Sequence, residues 1–361
     1  MSGEDAGRCD MIAILRGLAI GALGGALFWL AGIPAPWLAG SMIAAVVAVF
    51  AGVTIGMPDW LRAAAFIFLG IQTGTSVSWE TVERAAQWPL SIAFLGLTVV
   101  AVTWAGMQFY MRARKRDAAT ALFASLPGAL SLVLLLADEA KADMRRVAIA
   151  QCIRLFFLVA VLPALIVQLS PPETAHTAPQ IGGILDIALL VIAATGAGLL
   201  LERLNVPAGL FLGPTLAGAA LELAGAIHGA APSSLLIPAN VALGVMIAAR
   251  FKEFSLADFR EAMGEGVGGF LIALGVAAAG AGIASWAAGL PFALTLLAFS
   301  PGGLDAMTII AFALNLDPAY VGAHQLARYL GLAITMPWVT GFVLRRMAAI
   351  SPGARQGIQE D

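Results

Sequence analysis

Charged residues are scarce in this sequence. Lys, Arg, Asp and Glu make up 12% of its 361 residues, about half the share usual in soluble domains, whereas hydrophobic residues make up 60%. The mean hydropathy is +0.90. So few charges cannot cover a folded surface in water, which excludes an ordinary soluble domain. The composition indicates an integral membrane protein, with enough chain for about ten helices that cross a lipid bilayer.

Cysteine and histidine are also rare. The two cysteines, Cys9 and Cys152, lie in different settings, which excludes a disulfide framework and a CxxC metal site. The histidines, His176, His228 and His324, are far apart, whereas copper chemistry needs clustered imidazole ligands. No basic, foldable segment lies outside the apolar runs, so direct nucleic-acid binding is not expected. We expect no metal, no cofactor, no nucleic-acid partner and no enzymatic activity.

The apolar chain is nevertheless patterned, because one unit occurs twice. Pro127 and Pro301 each precede a glycine inside an apolar run, and they lie 174 positions apart (301 − 127). The same offset links further pairs: Gly70 with Gly244, Asp143 with Asp317, Gln151 with Gln325, Arg154 with Arg328, and Pro163 with Pro337. Shared hydrophobicity does not explain the match, since Gln, Arg and Asp are rare here. We predict membrane repeats at 11–169 and 181–347, a linker at 170–180, and cytoplasmic tails at 1–10 and 348–361.

Basic residues fall in different loops of the two repeats. The cluster Arg112–Arg116 corresponds to Trp286–Leu290, which carries no charge, and the basic loop Arg250–Arg260 corresponds to Ser76–Trp88, which carries Arg84 as its single cation. Short basic loops of membrane proteins lie in the cytoplasm. Equivalent loops are therefore expected on opposite sides of the membrane, so that the repeats are inverted.

Inversion requires an odd number of crossings in each repeat, yet each repeat has six apolar runs. The run Ala118–Ala137 resolves this if it enters from the cytoplasm, turns at Pro127 and returns. The predicted fold is all-α, a polytopic membrane protein with two inverted repeats. Each repeat has about five spanning helices plus one broken or re-entrant helical hairpin. We expect both termini in the cytoplasm of a bacterium and the chain in its inner membrane. The alternative, about 12 spans in parallel repeats, places the Arg250–Arg260 loop outside and ranks second.

The two Pro-Gly breaks are the candidate functional sites. Proline removes a backbone donor, and unsatisfied backbone groups in hydrocarbon are tolerated only where protein or a water-filled cavity covers them. Broken helices at equivalent positions point to a midplane binding site in transporters, and a half-helix N-terminus suits an anionic group. The candidate residues are Ser125, Pro127, Gly128 and Ser131 in the first break, and Ser300, Gly302, Gly303 and Asp305 in the second.

Buried polar residues extend this candidate site. Arg154 lies nine positions after Arg145, about 14 Å along a helix, so it is placed near mid-membrane, where a charge needs a partner or a cavity. Arg328 is placed likewise, and Gln151 and Gln325 each precede an arginine by one helical turn. Asp305 is interpreted in two ways, as an ion-pair partner of an arginine or as the carrier of a coupling H⁺ or Na⁺.

Several stretches resemble the bacterial AbrB membrane family. They are Ile33–Gly40, Leu69–Gly74, Ser125–Leu130, Ala148–Arg154 and Phe299–Asp305, and the resemblance extends from about Gly17 to Arg346. Members of the family are described as duplicated and carry labels such as ammonia monooxygenase or regulator of gene expression. The pattern is also distantly similar to bile-acid/sodium symporters and cation–proton antiporters, which is an analogy of fold alone.

These features bear on three possible functions. The leading hypothesis is a secondary transporter that moves a small anionic solute by alternating access between the two breaks. The alternative is a membrane protein that acts indirectly in regulation of gene expression. A monooxygenase is disfavoured by the scattered histidines. The expected partners are the bilayer, the solute and a coupling ion, and a homo-oligomer is left open.

Overall fold

The structure is a computed structural model that describes residues 3–86, 88–128, 130–169, 183–206, 208–227 and 236–350. All regular structure in these ranges is helical, which confirms the all-α prediction. The helices are α1 (Gly3–Leu30), α2 (Pro36–Phe50), α3 (Asp59–Thr75), α4 (Trp79–Ala85), α5 (Trp88–Arg114), α6 (Ala118–Ser125), α7 (Leu130–Glu139), α8 (Met144–Leu169), α9 (Ile184–Arg203), α10 (Gly209–Leu223), α11 (Leu236–Ala249), α12 (Leu256–Ala288), α13 (Phe292–Phe299), α14 (Leu304–Ala313) and α15 (Pro318–Ile350). A 3₁₀ turn, Arg250–Glu253, follows α11. Helical backbone thus extends at both ends into the segments assigned to tails, and the assigned linker lies outside the described residues.

Five of the described helices are long and apolar enough to cross a membrane: Met11–Leu30, Trp88–Arg114, Met144–Leu169, Ile184–Arg203 and Leu256–Ala288. Their outward faces are apolar as well. On α9, Ile184 and Ile192 are 87% and 71% exposed, and on α5 Leu97 and Val100 are each 68% exposed. Large apolar side chains on the outside are favourable when the surrounding solvent is lipid, which agrees with the membrane class indicated by composition.

The order of elements in the first half recurs in the second. The half-helices α6 and α13 are both eight residues long, α7 and α14 are both ten, and each pair starts 174 positions apart. Unusual backbone conformations recur too. Lys141 and Asn315 are left-handed, with φ of 54° and 55°, and so are Ala35 and Ala208, with φ of 51° and 55°. Because non-glycine residues seldom adopt positive φ, the two halves share local backbone detail as well as sequence.

Packing also joins equivalent elements across the halves. Helix α2 packs on α1 and α11, and its counterpart α10 packs on α9 and α3. Half-helix α6 packs on α5 and α8, and its counterpart α13 packs on α12 and α15. The outer helices α1–α3 and α9–α11 therefore form one bundle, and α5–α8 with α12–α15 form a second that contains both broken helices.

The long helices α5 and α12 pack against each other in opposite directions. Three glycines of α12 allow the close approach: Gly264 lies against Arg114, Gly269 against Tyr110, and Gly280 against Thr98. As the residue number rises on α12 it falls on α5, so these equivalent helices are antiparallel.

The first broken helix returns to the end from which it starts. The backbone N–H of Asp143, just after α7, donates to Thr120 Oγ1 at the start of α6 over 2.9 Å. Arg116 before α6 and Arg146 after α7 both pair with Glu265 near the start of α12. The segment therefore enters and leaves at one end of the molecule. We call this the basic end, defined by Arg112, Arg114, Lys115, Arg116, Arg145, Arg146, Arg250 and Lys252.

The close α5–α12 approach yields a stability prediction. A Cβ at Gly280 would overlap the Thr98 hydroxyl, whereas a Cβ at Gly275 on the same helix meets nothing within 4 Å. Gly280→Ala should lower the free energy of unfolding by roughly 1–3 kcal/mol through overpacking, and Gly275→Ala should not lower it. Thermal unfolding in detergent measures both. Equal midpoints for the two variants would refute this packing, and Thr98→Ala should restore part of the loss in Gly280→Ala.

Candidate functional site

The first break is held by two side chains of α8. Helix α6 ends at Ser125, Leu126 is extended, and α7 begins at Leu130, so the last carbonyls of α6 have no helical donors. Gln151 Nε2 donates to the carbonyl oxygens of Phe123 and Leu126 over 2.8 and 2.9 Å. Arg154 donates to those of Ser125 and Leu126 over 3.4 and 3.0 Å. An amide and a guanidinium thus replace the missing backbone donors.

The second break repeats this arrangement with α15. Gln325 Nε2 donates to the carbonyl oxygens of Ala298 and Ser300 over 3.0 and 3.2 Å. Arg328 Nη1 donates to Ser300 O over 2.6 Å, and its Nη2 contacts Gly302 O. In both breaks the arginine also hydrogen-bonds the glutamine one turn earlier.

The spacing of glutamine and arginine follows from this geometry. Residues three apart lie on one face of a helix, so both side chains of each pair reach the same break. The C-terminal end of a half-helix is the negative end of its dipole, which favours a cation there. The sequence placed these residues near mid-membrane but did not show that backbone carbonyls are their partners.

A cavity of about 810 Å³ lies between the two breaks. Its volume is in the range of small-molecule binding sites. Both breaks line it, and so do the side chains that hold them: Pro127, Gly128, Gln151, Arg154, Pro301, Gly302, Gly303, Gln325 and Arg328. Arg154 and Arg328 are only 6% and 7% exposed. The fold therefore brings two buried guanidinium groups, one from each half, to a single chamber.

The other wall of the cavity comes from the first bundle. Asp59 and Arg62 at the start of α3 form an ion pair of 3.3 Å, and their side chains are 93% and 46% exposed. Glu202 at the end of α9 and Arg250 after α11 also line the cavity. Charged side chains thus line the cavity at two levels. Asp59, Arg62, Glu202 and Arg250 form its solvent-exposed edge, which we call the rim, and Arg154 and Arg328 form its buried floor.

The rim is located at the basic end. Phe251, next to Arg250, packs against Phe50 at the end of α2 and Phe259 at the start of α12. Helix α3 starts a few residues after Phe50, and Asp258, next to Phe259, pairs with Arg145 over 2.5 Å. The helix ends that carry the rim charges and the basic loops are therefore neighbours.

The structure separates the residues predicted from sequence into groups. Pro127, Gly128, Gln151, Arg154, Gly302, Gly303, Gln325 and Arg328 line the cavity. Ser125 and Ser300 do not line it. Their hydroxyls donate to carbonyl oxygens of their own half-helices, Leu122 O and Leu296 O, and the Ser125 hydroxyl also contacts Thr103 O on α5. Their own carbonyl oxygens instead accept from the two arginines. Ser131 and Asp305 lie on α7 and α14, and their side chains are outside the described part of the chain.

The rim residues were missed as site candidates. Asp59, Arg62 and Glu202 lie at helix ends, where charges are common in any membrane protein, and Arg250 was used only as a topology signal. Their shared position appears once α3, α9 and α11 are packed together. A signal was present in sequence for α11, where Arg250 follows the last residue of an otherwise uncharged helix, but not for α9, which carries Asp186 in its first turn as well as Glu202 at its end.

Fold and site together define a helical membrane protein with a polar cavity between two broken helices. Residues 11–344 match the family described as "Transition state regulatory protein AbrB". The chain belongs to this AbrB family, which confirms the resemblance seen in the motifs.

Two relatives align along most of their length. The chain is 28% identical over 321 residues to the Escherichia coli (strain K12) protein named "Putative regulator AbrB", covering 86% of this chain and 90% of the relative. It is 26% identical over 350 residues to the Bacillus subtilis (strain 168) protein named "Uncharacterized protein YhjN", covering 89% and 90%.

The carbonyl-capping role of Arg154 predicts a stability loss on its removal. Arg154→Met keeps a long apolar stem but removes the donor to the Ser125 carbonyl, whereas the Leu126 carbonyl still accepts from Gln151 and from the Gly128 N–H. The substitution should lower the free energy of unfolding by roughly 1–3 kcal/mol, the cost of an unsatisfied buried polar group. Arg84→Met on α4, where the arginine side chain is 54% exposed, is the matched control. Thermal unfolding in detergent compares them, and equal midpoints would contradict the capping role.

Proposed function

We propose that this protein is a secondary transporter of a small anionic solute, which binds in the cavity between Pro127 and Pro301. The observation that carries the proposal is the pairing of Arg154 and Arg328, which come from equivalent positions in the two halves and line one chamber. Transporters with internal repeats bind substrate near the midplane, where broken helices meet.

The proposal includes inverted repeats, and the packing of equivalent helices supports them. Helices α5 and α12 are antiparallel, as expected for copies related by an axis in the membrane plane. Arg154 and Arg328 are each ten residues from the start of their helix, about 15 Å. If α8 and α15 start on opposite faces, both arginines meet at mid-membrane. The shared cavity supports that meeting.

The anionic character of the solute is inferred from the charges around the chamber. Among described side chains, no carboxylate forms an ion pair with Arg154 or Arg328. Helix α14 adds backbone donors, since its N-cap Gly303 faces the cavity and supplies no side-chain hydrogen bond. Two cations and a helix N-terminus favour a carboxylate or a phosphate-like group. Asp305 is retained as the proposed site of H⁺ or Na⁺ coupling.

The orientation of the protein in the membrane is inferred from the basic end. Clustered Lys and Arg in short loops favour the cytoplasm, which makes this end cytoplasmic and the cavity open to the cytoplasm. The proposed location is a bacterial inner membrane with both termini inside. In this arrangement the rim carries Arg62 paired with Asp59, together with Arg250 and Glu202, so its charges balance and the attraction for an anion comes from Arg154 and Arg328 at the buried floor.

A regulatory role is the second candidate, supported by the names of the family and of the Escherichia coli relative. It is compatible with transport, because moving a signalling solute changes gene expression without contact with nucleic acid. We propose no chemical step for the site. Solute uptake by the purified protein distinguishes direct transport from a purely sensory role.

The transport proposal is tested with the purified protein. A thermal-stability screen against small carboxylates, phosphate and sulfate identifies a stabilising anion, whose uptake into liposomes is then measured. Arg328→Gln removes the charge but keeps an amide donor for the break. It should weaken binding roughly ten- to a hundredfold, since a hydrogen bond to a charged group contributes about 1.5–3 kcal/mol.

Two controls make the result specific. Arg328→Lys keeps the charge and should retain more binding than Arg328→Gln, whereas Arg84→Gln, outside the cavity, should bind like the parent. If Arg154→Gln and Arg328→Gln both take up the anion at the parent rate, the anion site is refuted.

A further inference from the structure

The cavity is asymmetric, because it reaches the rim at the basic end, whereas the residues equivalent to three of its lining residues do not line it. On α11 the cavity is lined by Met246 and Ala249, whose equivalents on α3 are Gln72 and Thr75. On α3 it is lined by Phe66, whose equivalent on α11 is Asn240. None of the three equivalents lines the cavity.

These three equivalents are polar where their counterparts are apolar. Met246 is half-buried beside the cavity, whereas Gln72 is 3% exposed inside the packed first bundle. Asn240 interrupts an otherwise apolar α11, and its Oδ1 is buried without a hydrogen-bond partner among the described residues. A buried amide oxygen with no donor is costly and needs an explanation beyond packing. Contact of the Asn240 side chain with water in another conformation supplies this explanation.

We propose that Gln72, Thr75 and Asn240 line a second passage, closed in this structure, which connects the chamber to the face opposite the basic end. This inference rests on the proposed transport function. During alternating access, each inverted repeat adopts the conformation that the other repeat had before. Residues equivalent to those that line the open passage are therefore expected to line the second passage when it opens. Gln72 and Asn240 then meet water when that passage opens.

The two passages differ in charge. At the open rim stand Arg62 and Arg250 with the carboxylates Asp59 and Glu202, and the equivalents of the two arginines by position are Leu236 and Ser76. The second passage is therefore polar but without these two cations. A solute leaving the arginines by this route meets amide and hydroxyl groups rather than the mixed charges of the open rim.

Cysteine accessibility tests the second passage. In a Cys9→Ser, Cys152→Ser background, single cysteines are introduced as Gln72→Cys, Thr75→Cys and Asn240→Cys. Arg62→Cys reports the open rim, and Val100→Cys on the exposed apolar face of α5 reports lipid. Membrane vesicles of both orientations are treated with a charged, membrane-impermeant maleimide, and the rate of labelling is measured from each face.

We expect Arg62→Cys to react at least about tenfold faster from one face, and the passage cysteines to react at least about tenfold faster from the other. Val100→Cys should react from neither face. Preferential labelling of the passage cysteines from the Arg62 side, or no labelling of them from either side, overturns the second passage. Thr75 is only half-buried, so its variant keeps the test valid if Gln72→Cys fails to fold.

The outcome is separable from that of the transport assay. Anion uptake without opposite-face labelling refutes this passage and leaves the transporter standing. Opposite-face labelling without uptake of any screened anion supports the passage and removes the proposed substrate class.

Discussion

The whole site depends on how broken backbone is satisfied inside an apolar fold. A half-helix that ends among apolar side chains leaves carbonyl oxygens without donors, and this is tolerated only when other groups supply hydrogen bonds. Gln151 with Arg154, and Gln325 with Arg328, perform this task at equivalent positions. Each guanidinium is thereby fixed in place at the cavity that it lines. The same contacts that stabilise the breaks organise the proposed binding site.

Duplication explains why the site has two similar halves, and divergence explains why it is not symmetric. Both breaks share their half-helix lengths and their glutamine–arginine pair. The bundle of α1–α3 and α9–α11 differs more, since rim charges such as Arg62 and Arg250 have uncharged equivalents. The asymmetry therefore lies between the two ends of the molecule, since the rim at the basic end carries charged side chains that the proposed second passage lacks.

The sequence predicted the helical class, the membrane environment and the positions of the Pro-Gly breaks, because composition and a fixed 174-residue offset carry that information. It did not predict that Ser125 and Ser300 use their hydroxyls within their own half-helices, since a serine near a break is equally suited to a ligand. It also missed Asp59 and Glu202, which are far apart along the chain and share a wall only after α3 and α9 pack with α10.

The sequence by itself determined that the protein is suited to a lipid environment, which family it belongs to and that one unit occurs twice, because all three can be read from residue type and spacing. Only the tertiary structure decided that carbonyl oxygens hold Arg154 and Arg328, that both arginines line one chamber, and that the chamber reaches the rim at the basic end. These depend on which helices touch and in which direction. Periodicity within one helix does not encode the direction or depth at which another helix packs against it.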